Sequence, residues 1–263
     1  MTYNQIECIY NLIISLVCLI IVYKATKLIG RNDRSVTAVF FVFGVSSLLL
    51  SYIYWLAYDL LRPEVRMPFA ANEMGEIACN LLFASTMATI FGKEKLDSYK
   101  EVAFGVALEA GCIFLWIGWS GEWIQDIISG VVLCYTMYMM IRSAKITNAF
   151  TRNEWRVQGA ILTLLVALEG LTFAFSEEIS HTLDTICYVI IFSMATFYLI
   201  KVISAVKQRT ESMKLFCISG IGFYYCMNAM YMSAEPMYFM AEILNNFMLI
   251  IMFVAIKRVV LNE

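Results

Sequence analysis

The sequence is poor in the residues and motifs on which most enzymes depend. It contains a single histidine, and it has no CxxC pair, no glycine-rich phosphate loop and no GxSxG motif. Zinc hydrolysis, thiol redox relay, nucleotide hydrolysis and serine catalysis therefore lack their parts. The eight cysteines lie mostly inside apolar runs, where they serve as small apolar side chains. We expect no metal, no cofactor and no nucleic-acid partner.

Charge is also scarce. Only 15% of the 263 residues are charged, 61% are hydrophobic, and the mean hydropathy is +0.73. These values lie outside the range of soluble domains. Apolar runs of about 18 to 20 residues, the length that crosses ~30 Å of hydrocarbon, recur along the whole chain. We therefore expect residues 1–263 to form a single integral membrane domain, placed in the plasma (inner) membrane.

The apolar runs predict an all-α bundle of nine transmembrane helices. Alternating apolar and polar residues over ten-residue segments do not occur, so the spans should be helices that satisfy their own backbone hydrogen bonds. The nine runs are Ile6–Tyr23, Val36–Leu61, Asn72–Phe91, Val102–Trp119, Trp123–Ile141, Val157–Phe175, Leu183–Ile200, Leu215–Met232 and Met237–Ile256.

The distribution of lysine and arginine predicts the orientation. Of the 19 basic residues, 17 follow the first, third, fifth, seventh or ninth run. Because cytoplasmic loops carry the excess of basic residues, the N-terminus should lie outside and the C-terminus inside. No positive region precedes the first run, which is therefore expected to be a retained helix and not a signal peptide.

The outer turns share a spacing that suggests internal repeats. A Ser-x-Glu pattern recurs at intervals of 56 and 57 residues, starting at Ser120, Ser176 and Ser233. A period of this length corresponds to one helical hairpin with its inner loop. It predicts one leading helix followed by four hairpins, at residues 36–92, 102–145, 155–201 and 213–258. The alternative is that spans of similar length produce similar spacing, since Ser-x-Glu is also an ordinary helix N-cap.

Polar side chains follow each outer turn into the membrane. A charged side chain facing acyl chains costs ~2.5–3.5 kcal/mol, so these groups should face one another or water. This predicts an outward-facing acidic pocket, which we call the vestibule. Its expected lining is Glu76, Asp126, Glu169, Asp184, Asn228 and Glu242. The alternative is that acids in a first helical turn only complement the helix dipole.

Two carboxylates lie deeper in their helices. Glu109 is near the middle of the fourth run, and Glu169 is about two turns from the outer end of the sixth. Intramembrane acids commonly serve as proton relays, ion sites or ligand counter-ions. The alternative is that they are neutral acids that hydrogen bond between helices beside small residues.

The connection between the second and third runs holds the two basic residues that break the charge rule. Arg62 and Arg66 lie there beside Asp59 and Glu64, together with two of the three prolines. Proline disfavours a helix at this position. Arginine pairs well with carboxylates, so we expect this loop to be an ordered cap over the vestibule.

These features favour recognition of a small cationic or amphiphilic molecule. Tyrosines and methionines in the eighth run would suit such a ligand through cation–π contacts and adaptable packing. In layout alone the short-looped bundle resembles the membrane sensor modules of bacterial signalling proteins. Because the sequence stops five residues after Arg258, a sensor of this kind is expected to need a cytoplasmic or membrane signalling partner.

Two other functions remain open. The first is a secondary transporter or ion-conducting protein that uses Glu109 and Glu169, although no proline interrupts a span as in many transporters. The second is an intramembrane lipid-modifying enzyme that uses carboxylates as acid and base.

Overall fold

A computed structural model describes residues 3–31, 34–61, 71–121, 123–175, 177–232 and 237–261. Within these ranges the chain forms nine α-helices and no strand, which confirms the all-α prediction. The helices are α1 (Tyr3–Thr26), α2 (Ser35–Leu61), α3 (Ala71–Phe91), α4 (Lys100–Ser120), α5 (Trp123–Ile146), α6 (Arg152–Thr172), α7 (Glu177–Lys207), α8 (Ser212–Met232) and α9 (Met237–Leu261).

Seven of these helices are long and apolar enough to cross a membrane, namely α1 to α5, α7 and α9. Such a set is typical of a multi-pass membrane protein. The helices α6 and α8 have 21 residues each and are not among these seven. In α8 the polar groups are shielded by protein, because residues 215–227 are buried without interruption. The nine-span count, the orientation and the hairpin repeats stay predictions.

Several helices extend beyond the apolar runs that predicted them. The largest difference is in α7, which has 31 residues, because backbone hydrogen bonding continues after the apolar stretch ends.

The start of α6 is set by a capping box. The Thr151 hydroxyl accepts from the Glu154 N–H (3.3 Å), and the Glu154 carboxylate accepts from the Thr151 N–H (2.7 Å). At its other end α6 stops at Thr172, before the predicted Phe175.

The chain divides into two compact units, of which the first comprises residues 1–92 and 253–263. Helices α2 and α3 pack closely here because small residues face the partner helix. A Cβ atom on Gly75 would lie 2.9 Å from the backbone oxygen of Ser47. Further along, the rings of Phe41 and Phe83 stack at a centroid distance of 5.4 Å.

The second unit comprises residues 93–252 and holds α4 to α8 with the first part of α9. Two ion pairs join consecutive helices of this unit: Lys145 with Glu101 between α5 and α4, and Lys201 with Glu154 between α7 and α6. The starts of α4 and α6 therefore lie beside the ends of α5 and α7. We call this side of the second unit its basic end.

Candidate functional site

The two deep acids of the sequence meet between α4 and α6. Glycines let these helices approach, since a Cβ on Gly111 would contact Val166 at 3.6 Å. The side chains of Glu109 and Glu169 lie near each other. The thiol of Cys112, in the turn after Glu109, lies near both of them.

A tyrosine from α8 holds the first of these acids. The Tyr224 hydroxyl donates to Oε1 of Glu109 at 2.6 Å. A short hydrogen bond of this kind holds the carboxyl group in one position. Asn228, predicted to line the vestibule, lies one turn further along α8, where its Nδ2 donates to the Tyr224 carbonyl oxygen at 3.0 Å.

Asp184 of α7 adds a third carboxylate. It is half-buried and lies near Glu169. We call Glu109, Glu169 and Asp184 the acid cluster. In the ranges that the structure describes, the ion pairs are the two at the basic end, so none neutralises these acids. The same ranges contain no group of His, Cys, Asp and Glu with the arrangement of a metal site.

The other acids predicted to line the vestibule are buried. Glu76, in the first unit, is 6% exposed and accepts a hydrogen bond from the Ser51 hydroxyl at 3.2 Å. Asp126, in the second unit, accepts from the Ser120 hydroxyl, which ties the start of α5 to the end of α4. Glu242 of α9 is 1% exposed.

The predicted loop cap falls mostly outside the residues that the structure describes, since these do not include Arg62, Glu64 and Arg66. Asp59 is described. It accepts from Nδ2 of Asn11 at 2.9 Å and so joins α2 to α1. The partnership between the arginines and these acids stays a prediction.

A cavity that sequence reasoning did not predict lies at the basic end of the second unit. Its volume is about 830 Å³, and its walls come from α4 to α8 and the connection before α6. Aromatic rings form much of the wall, with Tyr198 stacked on Tyr225 at 4.9 Å and packed against Phe150 at 5.9 Å. Tyr224 also lines it, so one ring contacts both the cavity and the acid cluster.

Gln158 of α6 is the polar group buried in this wall. It is 6% exposed, and its Oε1 accepts from the Tyr198 hydroxyl at 2.6 Å. Its Nε2 has no hydrogen-bond partner among the described residues. An unsatisfied buried donor costs about 1–3 kcal/mol. The signal in the sequence was an amide inside an apolar run, but only the fold shows that this amide lines a cavity.

Comparison with known proteins assigns no family to this arrangement. No family model, no curated protein and no solved structure matches the chain.

Proposed function

We propose that this chain is a nine-span plasma-membrane protein, with its N-terminus outside and its C-terminus inside, that recognises a small cationic or amphiphilic molecule. The carrying observation is the acid cluster, in which α4, α6 and α7 each contribute one carboxylate and no described ion pair neutralises them. The ligand would bind between these helices, close to Glu169.

The chemistry of the cluster supports a cationic ligand. Like charges repel strongly where water is scarce, and a bound cation relieves that repulsion. Aromatic side chains close to the cluster favour a cation further. The Tyr224 hydroxyl donates to Glu109, and Tyr188 lies near Asp184. The absence of a metal-site arrangement among the described acids suits a ligand larger than a bare ion.

A signal would leave through the helices themselves. A cation shared by Glu109, Glu169 and Asp184 would draw α4, α6 and α7 together. It would favour a conformation with these helices close over one with them apart, because it binds the first conformation more tightly. The helices α4, α6 and α7 continue to the basic end, where ion pairs join α4 to α5 and α6 to α7. We place the contact with a signalling partner at that end.

Binding of tetraphenylphosphonium, a lipophilic organic cation, tests this proposal. Glu169→Gln should weaken binding to the purified protein by roughly tenfold, which is about 1.4 kcal/mol, and Glu109→Gln should also weaken it. Glu211→Gln is the matched control, because Glu211 is exposed and lies outside the cluster. Unchanged affinity in the Glu109→Gln/Glu169→Gln double variant would exclude the cluster as the binding site.

Secondary transport or ion conduction is the second candidate function. It is favoured by Tyr224, whose hydroxyl bonds Glu109 and whose ring lines the cavity at the basic end. The Tyr224 side chain therefore lies between a proton or ion held at Glu109 and this cavity. Proton-dependent uptake of the organic cation into liposomes would support transport if Glu169→Gln abolishes that uptake. Saturable binding of the cation without flux would support recognition.

A further inference from the structure

We propose that the cavity at the basic end of the second unit binds an anionic phospholipid. Its phosphate would lie at Arg152 and Arg156, and part of an acyl chain would lie between the aromatic rings. This site is separate from the acid cluster and prefers the opposite charge.

The charges that line the cavity favour an anion. They are one acid, Glu101, and three basic residues, Lys145, Arg152 and Arg156. Lys145 pairs with Glu101. The two arginines are exposed and have no ion pair within the described part of the chain. Their planar guanidinium groups match the geometry of phosphate oxygens better than lysine would.

Deeper in the cavity the structure provides a hydrogen-bond donor that has no acceptor. The Tyr198 hydroxyl donates to Oε1 of Gln158. The Nε2 donor of Gln158 has no partner among the described residues, and because the residue is only 6% exposed, bulk water does not readily supply one. Such a group is unfavourable unless an occupant supplies an oxygen. A glycerolipid carries ester carbonyl oxygens next to its phosphate-bearing glycerol, and Gln158 follows Arg156 by two positions in the same helix, where both line the cavity.

The remaining wall is suited to a hydrocarbon chain. Phe104, Phe150, Trp155 and Tyr225 line it beside aliphatic residues of α4, α5 and α8. A volume of about 830 Å³ is within the range of ligand pockets and exceeds the needs of a small soluble anion. Basic pockets between membrane helices are also where anionic lipid head groups bind.

Lipid titration of the detergent-purified protein tests this inference. Native mass spectrometry should show tighter binding of dioleoylphosphatidylglycerol than of dioleoylphosphatidylcholine. Arg152→Gln/Arg156→Gln should weaken binding of the anionic lipid roughly 30-fold, on the basis of two surface arginines. Lys93→Gln/Lys207→Gln removes two exposed charges that do not line the cavity, and it should leave the affinity unchanged.

Gln158→Glu separates the role of the amide donor from that of the charges at the mouth. It keeps an acceptor for Tyr198 but removes the donor to the ester carbonyl, which both lipids contain, so binding of both lipids should weaken, whereas Arg152→Gln/Arg156→Gln should weaken chiefly the binding of the anionic lipid. If a variant fails to fold, competition on the wild-type protein replaces it, and uncharged dioleoylglycerol should displace the anionic lipid poorly.

Three results would overturn the inference. They are equal affinity for the anionic and zwitterionic lipids, a double arginine variant that binds like the lysine control, and displacement of the lipid by soluble glycerol 3-phosphate at equal concentration. The last result would assign the site to a free phosphate compound instead of a lipid.

Discussion

Neutral donors satisfy many of the carboxylates in the apolar helices. Such pairings need only one charge to leave water, whereas an ion pair needs two. The pairs are Tyr224 with Glu109, Ser51 with Glu76, Ser120 with Asp126 and Asn11 with Asp59. The ion pairs that the structure describes are both at the basic end, where water is closer and the desolvation cost is smaller.

One of those ion pairs makes stability depend on pH. Glu154 precedes the apolar part of α6. Partial burial alone would raise the pKa of its carboxyl, but hydrogen bonds from Lys201 and Thr151 outweigh burial and hold the pKa below its ordinary value of 4.5. Because the folded-state pKa is the lower one, the carboxylate stabilises the fold above pH 4.5 and loses this contribution as the pH falls through the folded pKa.

Glu154→Gln should therefore lower the melting temperature at neutral pH and have a smaller effect at about pH 3. The expected loss is about 0.5–1 kcal/mol, since the pair is only partly buried. Glutamine keeps the capping box, so the substitution isolates the charge. Thermal unfolding in detergent at both pH values measures the effect, with the exposed Glu94→Gln as control. A loss of equal size at both pH values would contradict the assignment to charge.

At the scale of the elements, glycines decide how closely neighbouring helices approach. Each unit contains positions where a methyl group would meet the partner helix, and the identity of the contacted atom determines the cost. A flexible side chain can move aside, whereas a backbone atom moves only if the whole helix moves. The helices α2 and α3 meet at such a backbone contact, near Gly75.

Gly75→Ala should destabilise the first unit by about 1–3 kcal/mol. The new Cβ would lie 2.9 Å from the Ser47 backbone oxygen and 3.1 Å from the Ser51 Cβ, so α2 and α3 must separate. Gly111→Ala is the matched control, because its Cβ meets Val166 at an ordinary 3.6 Å. Helix propensity favours alanine by about 1 kcal/mol, so the control should be neutral or stabilising. Melting temperatures that change in the same direction would refute this reading of the two contacts.

At the scale of the whole molecule, the chain forms two units, each with its own helix contacts. The nine-span topology predicts which connections face the cell exterior. In a cysteine-free background, a cysteine at Ser120 should react with an impermeant thiol reagent on intact cells, and one at Gln208 should react only after permeabilisation. Labelling at position 208 in intact cells would overturn the topology.

The helices could be read from the sequence because they depend on local composition. An apolar run of about 20 residues must satisfy its backbone within itself when it lies in hydrocarbon, and each of the nine runs corresponds to a helix within the described ranges. The exact ends could not be read, as the early stop of α6 at Thr172 shows, because the last turns depend on contacts outside the run.

Hydrophobic length and intramembrane carboxylates are properties of a single helix, so the helical membrane character of the chain and the residues that need polar partners could be predicted from the sequence. Which helices supply those partners depends on the tertiary fold. Tyr224 and Glu109 are 115 positions apart, and the walls of the cavity come from five helices. Neighbouring helices are selected by packing over their whole length, which no periodicity within one helix records. The acid cluster and the unpartnered amide of Gln158 therefore emerged only from the fold.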